Sequence, residues 1–312
     1  MKGESIMKRA LKILVVLVVL AAPPALFEQE WHLDVPYVPT RPEVVDRMLE
    51  MASVGKSDVL YDLGCGDGRI VITAAERYGT RGVGVDINPE RIRESRENAA
   101  KAGVTNLVEF REQDLFQTDF HRATVVTLYL LTSVNLRLRP ILFAQLQPGT
   151  RVVSHDFSMD SWTPDNTDSV VAGGRTHNLF FWVIPANFSG TWEWKWTEGA
   201  ARVPCKLDVD QHFQAATGRF TAGSSELPLK DLTITGDHVR IRVERGDEAK
   251  SEVVVFEGRV SGDSVEGTVG PEGASKSALK PWTAKRTPLS KKAIDAEARD
   301  RLGRTFPFRL SR

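Results

Sequence analysis

Residues 58–69 read Asp-Val-Leu-Tyr-Asp-Leu-Gly-Cys-Gly-Asp-Gly-Arg, and they hold the residue types best suited to receive a nucleotide-like ligand. Gly64, Gly66 and Gly68 let the backbone turn tightly and come within contact distance of a ligand, where a β-carbon would intrude. A helix starting behind them presents unpaired N–H groups. Asp62 ends the preceding strand, where a carboxylate can receive a ligand ammonium. Asp86 closes a second strand, Gly82 to Val85, 22 residues beyond Gly64, a spacing that brings its carboxylate to the height of a ribose diol. Asp114 follows a third, Leu107 to Phe110, and can accept from an adenine amino group. Acids at three successive strand ends suit a ligand with an ammonium, a ribose and an adenine, and they repel a pyrophosphate. The dinucleotide fingerprint asks for a small residue where Arg69 stands, which disfavours a nicotinamide cofactor.

These side chains must be positioned by an alternation of strands and helices. Val59 to Tyr61 reads as a buried strand and Ile70 to Tyr78 as the helix behind the glycine loop. Thr40 is expected to cap a helix beginning at Pro42, with Val44, Val45, Met48 and Leu49 at helical spacing. Asn88 caps and Pro89 starts a helix through Lys101, closed by Gly103. Ala123 to Leu131 is continuously apolar, as a central strand covered on both faces would be. Leu138 to Leu146 is expected to be helical, Thr150 to Ser154 a fifth strand, and His177 to Ile184 an antiparallel end strand. The order predicts an α/β, doubly wound Rossmann-like sheet that collects its ligand outside the carboxyl ends of the strands.

The region from about Pro36 to Pro185 resembles a class I methyltransferase that uses S-adenosylmethionine, with Asp62 to Gly68 as its first motif. The resemblance makes Asp86 the ribose acid and Asp114 the adenine-side acid. Val35-Pro36-Tyr37-Val38-Pro39-Thr40, Tyr129 to Asn135 and Leu138-Arg139-Pro140 narrow it to a group of membrane-anchored protein-lysine methyltransferases and their bacterial relatives. Two departures, Arg41 between Thr40 and Pro42 and Thr132 where proline is common, lie where substrate would enter. On this likeness S-adenosyl-L-methionine is the cofactor. Gly64, Gly66, Gly68, Asp62, Asp86, Asp114 and Leu130 line its site, and Tyr37 and Thr40 either form a lid over its methionine part or belong to a hydrophobic lead-in to the helix.

Tyr129 and Asn135 follow the fourth strand and are the nearest candidates for the acceptor, Tyr129 by a hydrogen bond or its ring face and Asn135 by accepting from an amine. His155 and Asp156 look like a base pair, but adjacent strand residues point to opposite faces, so no dyad is expected from them. No metal-ligand spacing appears. Cys65 reads as a small filler residue, and two cysteines, Cys65 and Cys205, make no disulfide framework.

The 312 residues carry 41 basic and 41 acidic side chains, with 41% apolar residues, so an extensive core is expected and no net field draws nucleic acid. The Asn/Asp-Pro-Pro-aromatic segment of base-amine methyltransferases is absent. Lys2, Lys8, Arg9 and Lys12 precede the apolar run Ile13 to Ala22, so residues 1–27 read as a signal peptide or a short anchor. Membrane association, export and a cytoplasmic protein all remain open, and a membrane neighbour fits the first. Residues 28–187 form the expected methyltransferase domain. Residues 188–287 carry short alternating runs, beginning with Trp192-Glu193-Trp194-Lys195-Trp196, that predict a small antiparallel barrel or sandwich. Three tryptophans on one strand face read as core. Residues 288–312 form a charged tail with a short helix expected at Lys291 to Arg301. The leading reading is methyl transfer to a nitrogen, lysine being favoured by the resemblance alone. A small-molecule methyltransferase and a noncatalytic nucleotide-fold binder are the alternatives. Nothing in the residues sets an oligomeric state.

Overall fold

The computed structural model describes residues 35–198, 201–246 and 251–295. The amino-terminal segment and most of the expected tail helix lie outside the described residues. Strands β1 (Val59–Leu63), β2 (Arg81–Asp86), β3 (Val108–Glu112), β4 (Val125–Leu128) and β5 (Arg151–His155) pair in parallel in the order β3-β2-β1-β4-β5. Two further strands, β6 (Asn166–Ala172) and β7 (Arg175–Val183), extend the sheet with β7 antiparallel to β5. Alternation along β1 divides the core. Leu60 packs with the helices Pro42–Met51 (α1), Arg69–Tyr78 (α2) and Pro89–Ala102 (α3), whereas Tyr61 and Leu63 pack with Thr132–Gln145 (α4). Burial on both faces is what makes these strands read as unbroken apolar runs.

Local chemistry explains most boundaries. Asn88 accepts from Glu90 N at 2.9 Å to cap α3, and Gly79 and Gly103 close α2 and α3 in the left-handed conformation. Other boundaries depart from expectation. Thr40 does not cap α1: Arg41 stands at that position without a side-chain cap, and the Thr40 hydroxyl instead faces His155. Helix α4 starts at Thr132 and runs through Pro140. Its buried face, Val134, Leu138 and Leu142, continues across the proline, which removes only one backbone donor. Strand β4 ends at Leu128, which leaves Tyr129 to Leu131 as a loop at the carboxyl edge. Polar, partly exposed β6 was not anticipated, because an edge strand need not be apolar.

The second sheet is a closed antiparallel barrel. Its strands are β8 (Gly190–Glu198), β9 (Ala201–His212), β10 (Ala215–Ala222), β12 (Leu229–Thr235), β13 (His238–Arg245), β14 (Glu252–Ser261), β15 (Ser264–Pro271) and β16 (Lys280–Arg286), with the short β11 (Ser225–Leu227) on β10. Pairing of β9 with both β8 and β10 closes the ring. The tryptophans are its filling: Trp194 and Trp282 meet edge-to-face at 5.6 Å, and Phe256 lies 5.4 Å from Trp282.

The turn between β9 and β10 inserts into the α/β body. Phe213 stacks near Trp162 at 5.8 Å, and Gln214 accepts from Trp162 Nε1 at 2.9 Å. Residues 291–295 are not helical but strap the two sheets together. Ile294 O accepts from Phe213 N at 3.0 Å, and Asp295 takes a bidentate pair from Arg139, 2.8 Å from Nε and 3.0 Å from Nη2. Side-chain exposures of 1% and 5% make this a buried ion pair, in which removing one partner strands the other charge. Asp295→Ala is therefore expected to destabilise by roughly 3–5 kcal/mol, read as a drop of roughly 10 °C in the melting midpoint. A midpoint within a degree of the parent would show that the strap carries no such load.

Candidate functional site

Gly64, Gly66 and Gly68 have φ of +85°, +52° and +80°, so the loop after β1 turns through backbone that side chains disfavour. A Cβ on Gly64 would lie 2.8 Å from Leu130 Cδ2, and one on Gly66 would lie 2.5 Å from the Tyr37 ring. Leu130 and Tyr37 thus flank the loop. Asp86, at the end of β2, accepts from Gly66 N at 2.9 Å through one oxygen and from Asn88 N at 2.9 Å through the other. Asp62 is 3% exposed and accepts from Thr127 Oγ1 at 2.8 Å. Burial pushes its carboxyl up to about 7 against that hydrogen bond, and Asp86 and Asp67 add to the rise. Asp114 accepts from Phe116 N at 2.8 Å and Gln117 Nε2 at 3.0 Å. Cys65 is buried, and burial pushes its thiol up, which suits a packing role.

Arg69 is the first residue of α2, and its side chain turns outward to form a bridge. Nε donates to Asp67 Oδ1 at 2.8 Å and Nη2 to Asp67 Oδ2 at 2.5 Å, while Nη1 donates to Thr40 O at 2.8 Å. Burial alone would raise the Asp67 carboxyl, but Arg69 holds it below its ordinary value. The arginine that disfavours a dinucleotide thus ties the glycine loop to the segment entering α1.

On the other side of Thr40 is a second polar group. Its hydroxyl lies 3.3 Å from His155 Nδ1, and His155 Nε2 lies 2.8 Å from His177 Nδ1 on β7. Asp156 Oδ2 approaches His155 Nε2 at 3.3 Å and His177 Nδ1 at 3.7 Å, and it pairs with Arg175 Nη2. The sequence reading kept His155 and Asp156 apart as neighbours on a strand. The strand ends at His155, and Asp156 adopts φ +61°, which swings its carboxylate back beside the ring. Burial, with His177 and Arg175 adding, holds the His155 imidazole neutral, down to about 4, against the pull of Asp156. The Asp156 carboxylate favours the proton on His155 Nε2, which leaves His155 Nδ1 to accept from Thr40 and His177 Nδ1 to accept from Arg175. Tyr129 stacks on His155 at 3.8 Å between centroids, and its hydroxyl lies 3.3 Å from Arg175 Nη2.

Tyr129 therefore belongs to this cluster and Asn135 does not. Asn135 is wholly buried, and its Nδ2 donates to Ser154 Oγ at 3.2 Å and Phe157 O at 3.0 Å. Its amide nitrogen fixes the turn after β5, and its Oδ1 is buried with no hydrogen-bond partner among the described residues. Arg175 and His177 escaped the sequence reading, because only the antiparallel pairing of β7 with β5 brings them to the site.

The glycine-loop half fits a nucleoside sulfonium ligand. A buried carboxylate that resists ionisation, a ribose-height acid on the loop and glycine backbone at positive φ match the ammonium, diol and close approach that such a ligand needs. His155, Asp156 and His177 also place donor atoms within 4.8 Å of one another, a set that could hold a metal ion. Arg175 Nη2, in contact with Asp156 and 3.0 Å from His177 Nδ1, brings a cation of the chain itself into that space.

The model of the ANTKMT methyltransferase domain matches residues 62–166. A protein-lysine N-methyltransferase of Saccharolobus islandicus (strain REY15A) is 50% identical over 151 residues, covering 48% of this chain and 94% of the relative. An adenine nucleotide translocase lysine N-methyltransferase of Mus musculus is 35% identical over 147 residues, 45% of this chain, and only 63% of that relative's length is spanned. A crystal structure of an RNA methyltransferase from Salinibacter ruber in complex with S-adenosyl-L-homocysteine shares 59% identity over 47% of this chain and 93% of its own, with a TM-score of 0.44.

Two residues at the cofactor site carry expected outcomes. A β-branched side chain at Gly64 meets Leu130 and the wrong φ, so Gly64→Val should abolish S-adenosylhomocysteine binding in calorimetry while the fold persists. Normal affinity would remove the loop from the site. Asp62 must be ionised to hold an ammonium, and its pKa is about 7 without one. Cofactor affinity should therefore rise about tenfold per pH unit up to about 7 and then level, with proton release below 7. Asp62→Asn should bind weakly with that dependence gone. The same shift makes the ligand-free fold lose stability as pH rises from about 4 to about 7, because the folded state keeps a proton that the unfolded chain releases.

Proposed function

This chain belongs to the class I S-adenosylmethionine-dependent methyltransferases, and from that membership we propose that it moves a methyl group onto the side-chain nitrogen of a protein lysine. The observation that carries the reading is the position of Thr40 between two half-sites. Its carbonyl takes Arg69 of the glycine loop, and its hydroxyl faces the cluster of His155, His177, Asp156 and Tyr129. Cofactor and acceptor groups are thereby held on the two sides of one residue.

S-adenosylmethionine supplies, when bound, a methyl on a sulfonium, which leaves with its bonding electrons on sulfur as the acceptor lone pair forms the new C–N bond. The chain's work is binding, orientation and control of the acceptor's charge. Asp62 would receive the ammonium, Asp86 the ribose hydroxyls and Asp114 the adenine side, with Tyr37 and Leu130 covering the loop. Positioning supplies much of the acceleration in such a transfer. The acceptor must be a neutral amine when it attacks, and the Asp156 carboxylate, beside an imidazole that burial holds neutral, offers a place for the proton it sheds. Lysine comes from the Saccharolobus and mouse relatives, which carry that activity in their names. We also place the acceptor at a membrane, on the strength of the basic and apolar residues 8–22.

The test is transfer of radiolabelled methyl by the full chain to lysate, membranes included, from cells lacking the gene. Label is expected in protein, recovered as methylated lysine after hydrolysis. Label in RNA or in the small-molecule fraction would overturn lysine and keep the methyltransferase, and no label with a folded, cofactor-binding chain would overturn transfer itself. In the same assay Tyr129→Phe is expected to keep cofactor affinity and lower turnover by roughly tenfold, the loss of one orienting hydrogen bond. Unchanged turnover would return Tyr129 to a packing role.

A further inference from the structure

Arg175 opens β7 just after the Gly173–Gly174 turn, and 55% of its side chain is exposed. A Cβ on Gly173 would fall 2.2 Å from the Arg41 guanidinium, so this hairpin tip meets the segment that enters α1. From that rim the side chain reaches inward. A single nitrogen, Nη2, meets three acceptors: Asp156 Oδ2 at its shortest contact, His177 Nδ1 at 3.0 Å and Tyr129 Oη at 3.3 Å. Neither Nε nor Nη1 bonds to another described residue.

That pattern is ill matched to arginine. A guanidinium pairs best with a carboxylate through two nitrogens in a planar fork, and Nη2 has two hydrogens to offer three acceptors. A primary ammonium has three hydrogens on one nitrogen, arranged around a point. The acceptors also come from three separate elements: the loop after β4, the left-handed turn after β5, and β7. Asp156 and His177 are nearly buried, with side-chain exposures of 13% and 5%, while the arginine between them is the exposed member. The acceptors form a fixed pocket, and its present occupant is mounted on an accessible side chain.

We propose that Asp156 Oδ2, His177 Nδ1 and Tyr129 Oη form the seat of the acceptor's nitrogen, shaped for a primary alkylammonium such as a lysine side-chain end, and that Arg175 holds this seat until the acceptor displaces it. The inference deepens the methyl-transfer reading and rests on it for the fate of the amine, but the seat itself can be observed without any transfer. Self-occupancy by Arg175 lowers apparent acceptor affinity by the fraction of time that the seat is filled.

The probe is n-butylammonium, titrated into histidine-¹⁵N-labelled full chain saturated with S-adenosylhomocysteine, with the imidazole nitrogens of His155 and His177 followed by NMR. Arg175→Ala is expected to respond with a midpoint about tenfold below that of the parent chain, corresponding to a seat about 90% self-occupied. Asp156→Asn in the Arg175→Ala background should abolish the response, and tetramethylammonium, which has no N–H, should produce none. Retained S-adenosylhomocysteine binding shows that each variant is folded. Equal midpoints with and without Arg175, an equal response to tetramethylammonium, or a response that survives Asp156→Asn would each overturn the seat. If butylammonium binds as expected and no nitrogen acceptor is ever methylated, the seat stands and the methyl-transfer reading falls. If methyl transfer proceeds and the imidazoles never respond, the seat falls alone.

Discussion

Arg69 is the interaction on which the site depends. Its guanidinium closes a fork on Asp67 inside the glycine loop and spends its remaining nitrogen on the Thr40 carbonyl. Charge-assisted, two-pronged pairs are the strong and directional hydrogen bonds of proteins, and this one is partly shielded from water. It fixes the loop that follows β1 against the segment that leads into α1, two stretches that no strand pairing joins. Thr40 is then free to turn its hydroxyl to His155. The loss of a helix cap at Thr40 is the structural cost of that link.

The polarity of the two half-sites is opposite in kind. Around the glycine loop, Asp62, Asp67 and Asp86 crowd one end of the sheet, and burial above all, with the two neighbouring acids adding, raises the Asp62 carboxyl. Such a cluster gains from a cationic ligand and loses from an anionic one. Across Thr40, one carboxylate and one guanidinium cancel beside two buried imidazoles, one of which burial holds neutral. A neutral imidazole keeps a lone pair available, which an imidazolium would not. The first half-site suits a ligand bearing positive charge, and the second suits a nitrogen whose charge must change.

The barrel contributes none of these side chains. Its lumen is packed with indole and phenyl rings, so the aromatic strand Trp192 to Trp196 is spent on stability. Phe213 and Gln214 reach from it into the aromatic cluster behind α4, and the strap through Asp295 fastens the same side of that helix, where Arg139 lies over the Phe213 ring at 4.9 Å. Helix α4 follows directly on the loop carrying Tyr129 and Leu130. Fixing α4 from behind therefore fixes the carboxyl end of that loop.

Much of this was determined by the sequence alone. Strand, glycine loop and helix around Asp62 to Arg69, the acids after β2 and β3, the cap and close of α3, and the alternating runs of the barrel all rest on local rules: φ freedom, side-chain capping and period-two burial act between residues near in sequence. What only the tertiary structure decided is the acceptor side. A left-handed Asp156 undoes the alternation that would have separated it from His155, and antiparallel pairing carries His177 and Arg175 across 22 and 19 residues to meet them. Asn135 kept the spacing of a site residue, and a turn took its amide nitrogen while its oxygen stayed unpartnered. Thr40 kept the chemistry of a cap and was claimed by a histidine. Side chains such as these can satisfy either a local or a distant partner, and the choice is made by packing between elements that sequence spacing does not encode.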